Sequence, residues 1–277
     1  MSAVSSEFNG IEIAKFISSW INDYADAANI DSFVVGVSGG VDSAVTATLC
    51  LMTGRPVYVV DMPIYQASSE VVRSRELCKL LESRFNNFEM ITVPLNEVYE
   101  ATKSALPQIE DDSGGLILAN TRARLRMTTL YAIATQRRGL VVGTGNKIED
   151  FGVGFFTKYG DGGVDISPIA DLVKSEVYKV AEAIGVPRSI LEAAPTDGLW
   201  GDNRNDEDQI GASYPELEIA MKFSDDQGDP STLSGRALDV YEIYTRLNKA
   251  NQHKMLPIPV CNIPRYFILC FEYLSLL

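Results

Sequence analysis

A chain of 277 residues, 46% of them hydrophobic, has enough apolar material for a sizeable core in one large α/β domain or two small ones. We expect one domain spanning 1–277. With 24 Lys and Arg against 37 Asp and Glu, the net charge of −13 argues against general binding to nucleic acid or to an anionic membrane surface, so an anionic ligand must meet a local group of cations.

The four cysteines, Cys50, Cys78, Cys261 and Cys270, form no C-x-x-C pair and sit mostly in apolar surroundings, as reduced core thiols do. Residues 1–9 hold neither a basic start nor an apolar run, so no signal peptide is expected. The greasy stretch 263–277 is broken by Pro264, Arg265 and Glu272 and is too short to span a bilayer. A cytoplasmic protein is expected.

Residues 10–28 carry Ile11, Ala14, Ile17, Ile21 and Tyr24 at helical spacing, which predicts an amphipathic helix ahead of the first strand. The apolar run Val34-Val35-Gly36-Val37 then breaks into Ser38-Gly39-Gly40-Val41-Asp42-Ser43 and resumes as a helix over 43–52. Strands follow at 57–60, 88–93 and 140–143, with helices at 68–84, 96–105 and 116–138 between them. Short, continuously apolar strands alternating with helices predict crossover units: an α/β fold with an open, mostly parallel sheet and helices on both faces. Residues 145–168 show no regular period. Their glycines, interleaved with Phe151, Phe155, Phe156 and Tyr159, read as a long functional loop able to close over a ligand. Helices are expected again at 173–184, 188–193, 214–223 and 234–253, additional elements toward the C-terminus, with 197–209 a polar loop and 202–208 solvated.

The break after the first strand is where chemistry enters. Gly39 and Gly40 let the backbone approach a ligand, and the amides of the following helical turn point at whatever the loop holds. Ser38 and Ser43 add hydroxyls, while Asp42 beside phosphate calls for a divalent cation between them. The run lacks the ending of a Walker A loop and the three-glycine spacing of a dinucleotide fingerprint. Its SGGxDS pattern resembles the pyrophosphate-binding loop of the N-type ATP pyrophosphatases, which implies an adenine nucleotide alpha hydrolase-like fold and cleavage of ATP between its α and β phosphates. In a parallel sheet ligands lie beyond the carboxyl ends of the strands, so Ser38 and Thr144 are candidates to face one site.

A second constellation narrows the substrate. Gly143-Thr144-Gly145-Asn146-Lys147-Ile148-Glu149, followed by Gly154-Phe155-Phe156-Thr157-Lys158-Tyr159-Gly160-Asp161-Gly162-Gly163, resembles the second signature of the ammonia-dependent NAD synthetases. The resemblance extends to Arg122-Ala123-Arg124-Leu125-Arg126-Met127, the Ser167-Pro168 turn leading to Lys174, Ala194-Pro195-Thr196 and Gln252-His253-Lys254. It implies ATP-dependent amidation of deamido-NAD by ammonia, giving NAD, AMP and pyrophosphate through an adenylated carboxylate. Carried residue by residue, Gly36, Val37, Ser38, Gly39, Gly40, Val41, Asp42 and Ser43 hold ATP, joined by Thr144, Lys174 and Thr196. Asp42 and Glu149 bind Mg2+. Arg124, Lys158, Asp165, His253 and Lys254 contact deamido-NAD, and Asp161 binds or deprotonates the incoming ammonium. A homodimer with sites at the subunit interface is implied as well.

The physics of the reaction fits these residue types. A carboxylate attacks a like-charged phosphate ester only where oxyanions are neutralised and water is excluded, and ammonium must lose a proton before it attacks. Arg122, Arg124 and Arg126 are spaced two apart and cannot share a helix face, so Arg124 is expected in the site and the other two at solvent or at a subunit contact. The chain departs from the family in three places. Asp61-Met62-Pro63 stands where an arginine commonly precedes Leu-Pro, one additional residue lies between Glu149 and Gly154, and a Trp-rich ending is lacking. Because Ser38 follows only 37 residues, no amidase domain is expected ahead of it and free ammonia is the expected donor. The alternatives are another ATP-pyrophosphatase ligase, such as one like GMP synthetase, and a nucleotide-binding sensor without catalysis.

Overall fold

Helix α1 (Gly10–Ala28) begins where Asn9 caps it, the side-chain oxygen accepting from the Glu12 amide at 3.2 Å. Ala14, Ile17 and Ile21 are buried as the periodicity predicts, but Ile11 and Tyr24, assigned to the same face, are 40% and 43% exposed; Ala25 takes the inner position instead. The computed structural model describes residues 8–107, 114–196, 205–264 and 267.

Four parallel strands, β1 (Ser32–Gly36), β2 (Val57–Asp61), β3 (Phe88–Thr92) and β4 (Gly139–Val141), lie in the order β3-β2-β1-β4. Val35 pairs with Val59 and Val34 with Val141, and a further parallel bridge joins Val142 to Ile166. Side chains alternate across the sheet. Phe33, Val35, Val57 and Val59 pack with α1, α2 (Val41–Met52), α3 (Ser68–Arg84) and α6 (Lys174–Ala183), while Val34 and Val60 pack with α4 (Asn96–Ala105) and α5 (Gly114–Arg137). Helices therefore cover both faces, and the open, mostly parallel sheet expected of the sequence is present.

The strand order reverses between β1 and β4, which opens a crevice beyond their carboxyl ends. Both ligand loops identified in the sequence leave the sheet there. A third cluster closes the crevice from the C-terminal side. Ile148 and Val153 pack with Tyr214, Leu217 and Met221 of α9 (Tyr214–Asp225) and with Val240 and Tyr244 of α10 (Arg236–Met255). Between α6 and α9 lie the short helices α7 (Arg188–Leu191) and α8 (Asp206–Ile210).

Two expectations are corrected. The segment 145–168 is not irregular throughout, since Lys147–Val153 forms a π-helix. The four residues between Glu149 and Gly154 fall inside it. Residues 152–156 of the segment are also bonded to α10: Asn248 donates to Gly152 O, Asn251 to Val153 O, and Lys254 to Gly154 O and Phe156 O, each at 2.7 to 2.8 Å. This part of it forms a wall of the crevice held by α10. Finally, Asp206 is buried, though 202–208 reads as a solvated loop; residues 202–204 lie outside the described ones. Among the cysteines, Cys50 and Cys78 are buried and Cys261 is exposed, while Cys270 lies outside the described residues. No described helix is long and apolar enough to cross a membrane.

Candidate active site

The loop after β1 turns at Gly39, whose φ of +84° suits glycine and whose Cβ, if present, would stand 2.7 Å from Glu70 O. Ser38 Oγ accepts from the Gly40 amide, Ser43 Oγ donates to Gly40 O, and Arg73 Nε donates to Gly39 O at 3.1 Å. These bonds fix a concave loop at the start of α2, whose first-turn amides have no partner within the helix. All of residues 36–43 line the crevice, and so do Thr144, Lys174, Thr196, Glu149 and Asp161. The proposed ATP, metal and ammonia residues thus share one cleft.

At its floor Lys174 Nζ lies 2.6 Å from Asp42 Oδ2 and 2.9 Å from Glu149 Oε1, with side-chain exposures of 5%, 17% and 16%. Burial acts to strip the proton from Lys174, but the two carboxylates outweigh it and hold its pKa above the ordinary value. Asp42 is pushed up, by burial against the pull of Lys174 and with Glu149 adding repulsion. Glu149 is held down despite burial, because Lys174 and the Tyr214 hydroxyl both favour its ionised form. Two carboxylates against one ammonium leave the cluster with one uncompensated negative charge.

Neighbours that the sequence did not single out hold this cluster. Asn146, fully buried, accepts from the Ile148 and Glu149 amides at 3.1 Å and donates to Asp42 Oδ1 at 3.2 Å, so one amide ties the π-helix to α2. Tyr214 donates to Glu149 Oε1 at 2.5 Å and lies 3.2 Å from Asp206 Oδ2, with Lys174 Nζ 4.9 Å above its ring. Tyr214→Phe removes a donor shared by two buried acids, and we expect it to lower unfolding free energy by about 2 kcal/mol. A urea titration checks this; an unchanged midpoint would show that the hydroxyl contributes nothing. Asp150, delivered by the π-helix, lies so close over Gly145 that an added Cβ would meet its Oδ2 at 1.9 Å. Burial, with Glu149, Asp161 and Asp42 nearby, raises the Asp150 pKa well above the ordinary range.

Asp161 accepts from the Thr157 amide at 2.9 Å. One side of its carboxyl faces the open cleft, while protein packed around the rest raises its pKa to about 6; that amide opposes the rise and Glu149 adds to it. The expected deamido-NAD residues form a separate chain of contacts at the rim. Arg124, exposed, donates to Lys158 O at 3.3 Å, Lys158 donates to His253 O, and Lys254 is bonded to the wall. None of these four side chains lines the cleft. Asp165 is engaged elsewhere, accepting from the Val141 amide at 2.8 Å and from the Tyr131 hydroxyl at 3.0 Å. Arg122 stacks over Tyr99 and donates to its hydroxyl, whereas Arg126 lines the cleft, so neither simply faces solvent.

The donor set suits a hard divalent cation: oxygen ligands, one excess negative charge, and a point at which positive charge is already held. Among the described residues no three His, Cys, Asp or Glu side chains converge as a metal cage, so phosphate oxygens and water would complete the shell around Asp42 and Glu149.

A parallel sheet carrying a phosphate-sized loop and an acid-lysine-acid cluster at its switch point defines a nucleotide-binding enzyme of the N-type ATP pyrophosphatase class. The chain belongs to the NAD synthase family, which it matches over residues 13–257. It is 38% identical over 212 residues to the NH(3)-dependent NAD(+) synthetase of Methanococcoides burtonii, covering 76% of this chain and 79% of that one. To the enzyme of the same name from Carboxydothermus hydrogenoformans it is 35% identical over 250 residues, 89% of this chain and 95% of the other. Among solved structures, an NMN synthetase from Francisella tularensis superposes with a TM-score of 0.79 at 32% identity, covering 93% of this chain and all of that one. The family's members are ligases that use ATP as co-substrate, and this chain is a ligase of that kind.

Proposed function

We propose that residues 1–277 act as one domain that amidates deamido-NAD with ammonia. The nicotinate carboxylate attacks the α-phosphorus of ATP, pyrophosphate leaves, ammonia attacks the acyl carbon of the adenylate, and AMP departs with the product NAD. The observation that carries this reading is the convergence of the loops after β1 and β4 on one cleft, where Asp42, Glu149 and Lys174 meet within hydrogen-bond reach. Residues 36–43 with Thr144 and Thr196 take the nucleotide, and Lys174 lends a permanent positive charge beneath the phosphates. Mg2+, held by Asp42 and Glu149, would neutralise charge on the pyrophosphate leaving group. The rim group Arg124, Lys158, His253 and Lys254 receives the dinucleotide, and Asp165 braces the end of β4 behind it. Asp161 takes the proton that ammonium must lose. The rim position of that group is compatible with a partner subunit completing the substrate site, and we place the homodimer in the cytoplasm.

Mass spectrometry of the products tests the proposal: with ATP, magnesium, ammonium and deamido-NAD, equal amounts of NAD, AMP and pyrophosphate are expected. Absence of AMP would refute it. Glutamine used as well as ammonium by the isolated chain would refute the choice of donor. A second reading has one observation behind it, the fit to a protein described as an NMN synthetase. On this reading the acceptor is the deamidated mononucleotide, and competition between the two acceptors in one reaction mixture decides between them.

A further inference from the structure

Among the described residues, three cationic side chains line the cleft: Arg73, Arg126 and Lys174. Two are committed to the protein. Arg73 Nε serves Gly39 O, and Lys174 is held between Asp42 and Glu149. Arg126 differs. Its Nε donates to Met62 O at 3.2 Å, while its Nη2 is buried without a hydrogen-bond partner. A guanidinium fixed at one nitrogen, with a desolvated N–H unspent, is prepared for an oxyanion.

Its position says which oxyanion. Met62, to which it is tied, places its methyl group 3.3 Å from the point where a Gly36 Cβ would stand, so Arg126 is anchored beside the first residue of the phosphate loop. Leu130, one helical turn further along α5, faces the same glycine. The charges of Glu70, Asp161 and Asp61 also reach Arg126. Burial, with Arg122 nearby, lowers the Arg126 pKa only to about 10, so it remains a cation at neutral pH. The guanidinium is thus tied next to the phosphate loop and lies within electrostatic reach of the acid assigned to amidation. In an adenylate the group that stands between the outer phosphates and the acyl carbon is its own phosphate.

We propose that Arg126 binds the α-phosphate of the adenine nucleotide, in ATP and in the AMP that leaves. This rests on the reading that the cleft takes an adenine nucleotide. It assigns a role to Arg126 that neither the loop nor the acid cluster fills, because both address the pyrophosphate side of the bond that breaks.

The test compares AMP with adenosine by calorimetry on the full chain, since the two differ only in that phosphate. The wild-type chain should prefer AMP, and Arg126→Gln should cut that preference about tenfold or more while adenosine binding stays within about threefold. Arg126→Met, similar in length and uncharged, is carried in parallel in case the glutamine variant does not fold. An AMP preference unchanged in either folded variant would overturn the proposal. Loss of adenosine and AMP binding by equal factors would also overturn it, marking Arg126 as a wall residue. Wild-type protein that binds neither ligand would refute the underlying nucleotide reading, a result distinct from both.

Discussion

Asp42→Asn is expected to slow pyrophosphate release about 10²- to 10³-fold while leaving binding of the deamidated dinucleotide within about threefold. Asp42 is one of the two carboxylates that give the cluster its excess negative charge, and replacing it leaves Glu149 and Lys174 neutral as a pair. The dinucleotide rim, built from Arg124, Lys158 and the end of α10, touches none of this. Stability should change little, for a reason that follows from the sign of the pKa shift. Burial raises the Asp42 carboxyl above its ordinary value, so the fold disfavours its ionised form. Whatever stability this group contributes is present at low pH and lost as pH rises through its folded pKa. A neutral isostere therefore removes a charge that the folded chain holds at a cost, and Lys174 keeps Glu149 as a partner. Single-turnover pyrophosphate release beside equilibrium dinucleotide binding checks the point. Equal losses in both, or a marked fall in the unfolding midpoint, would make Asp42 a structural residue.

The sheet was legible in the sequence because strands buried on both faces read as unbroken apolar runs, and because Gly-rich breaks at two strand ends mark where ligands approach. The loop 36–43, Thr144, Glu149, Lys174 and Asp161 could be named before any coordinates for the same reason: their neighbours in sequence carry the signal. Tyr214 and Asn146 could not. Tyr214 opens a helix with an ordinary capping box and meets Glu149 only through folding across 65 positions, and Asn146 stands in its motif with no role of its own until Asp42 arrives from α2. The π-helix is illegible for another reason. The glycine-rich stretch shows no helical period, yet the fold brings Asp150 over Gly145. Arg126 was misplaced because spacing on a helix shows that three arginines diverge without showing which one faces the sheet. Asp165 adds a contact that spacing does not show: beside the substrate role its family context implies, its carboxylate accepts from the Val141 amide and the Tyr131 hydroxyl.

The second large effect is expected at Asp161. If its carboxylate takes the proton of bound ammonium, only the ionised form works, and with a pKa of about 6 the amidation rate should rise about tenfold per pH unit below that value and level off above it. The measurement follows decay of the adenylated intermediate in single turnovers at saturating ammonium, so that acid-base change in the ligand supply does not enter. Asp161→Asn should lower this step about 10²- to 10⁴-fold and erase the break near pH 6, while pyrophosphate release, which precedes it, stays near the wild-type rate. Stability runs the other way. A carboxyl raised from its ordinary 3.8 binds its proton more tightly in the folded chain, so its contribution is greatest below about pH 4 and declines as pH rises through 6. Loss of activity on the acid side therefore cannot come from unfolding driven by this group, and a rate that falls with pH while the fold does not is the mark of a base. A break that survives in Asp161→Asn would move the proton acceptor elsewhere, and Asp150, a cleft acid whose pKa is also raised and which is not paired with Lys174, would be the next residue to replace.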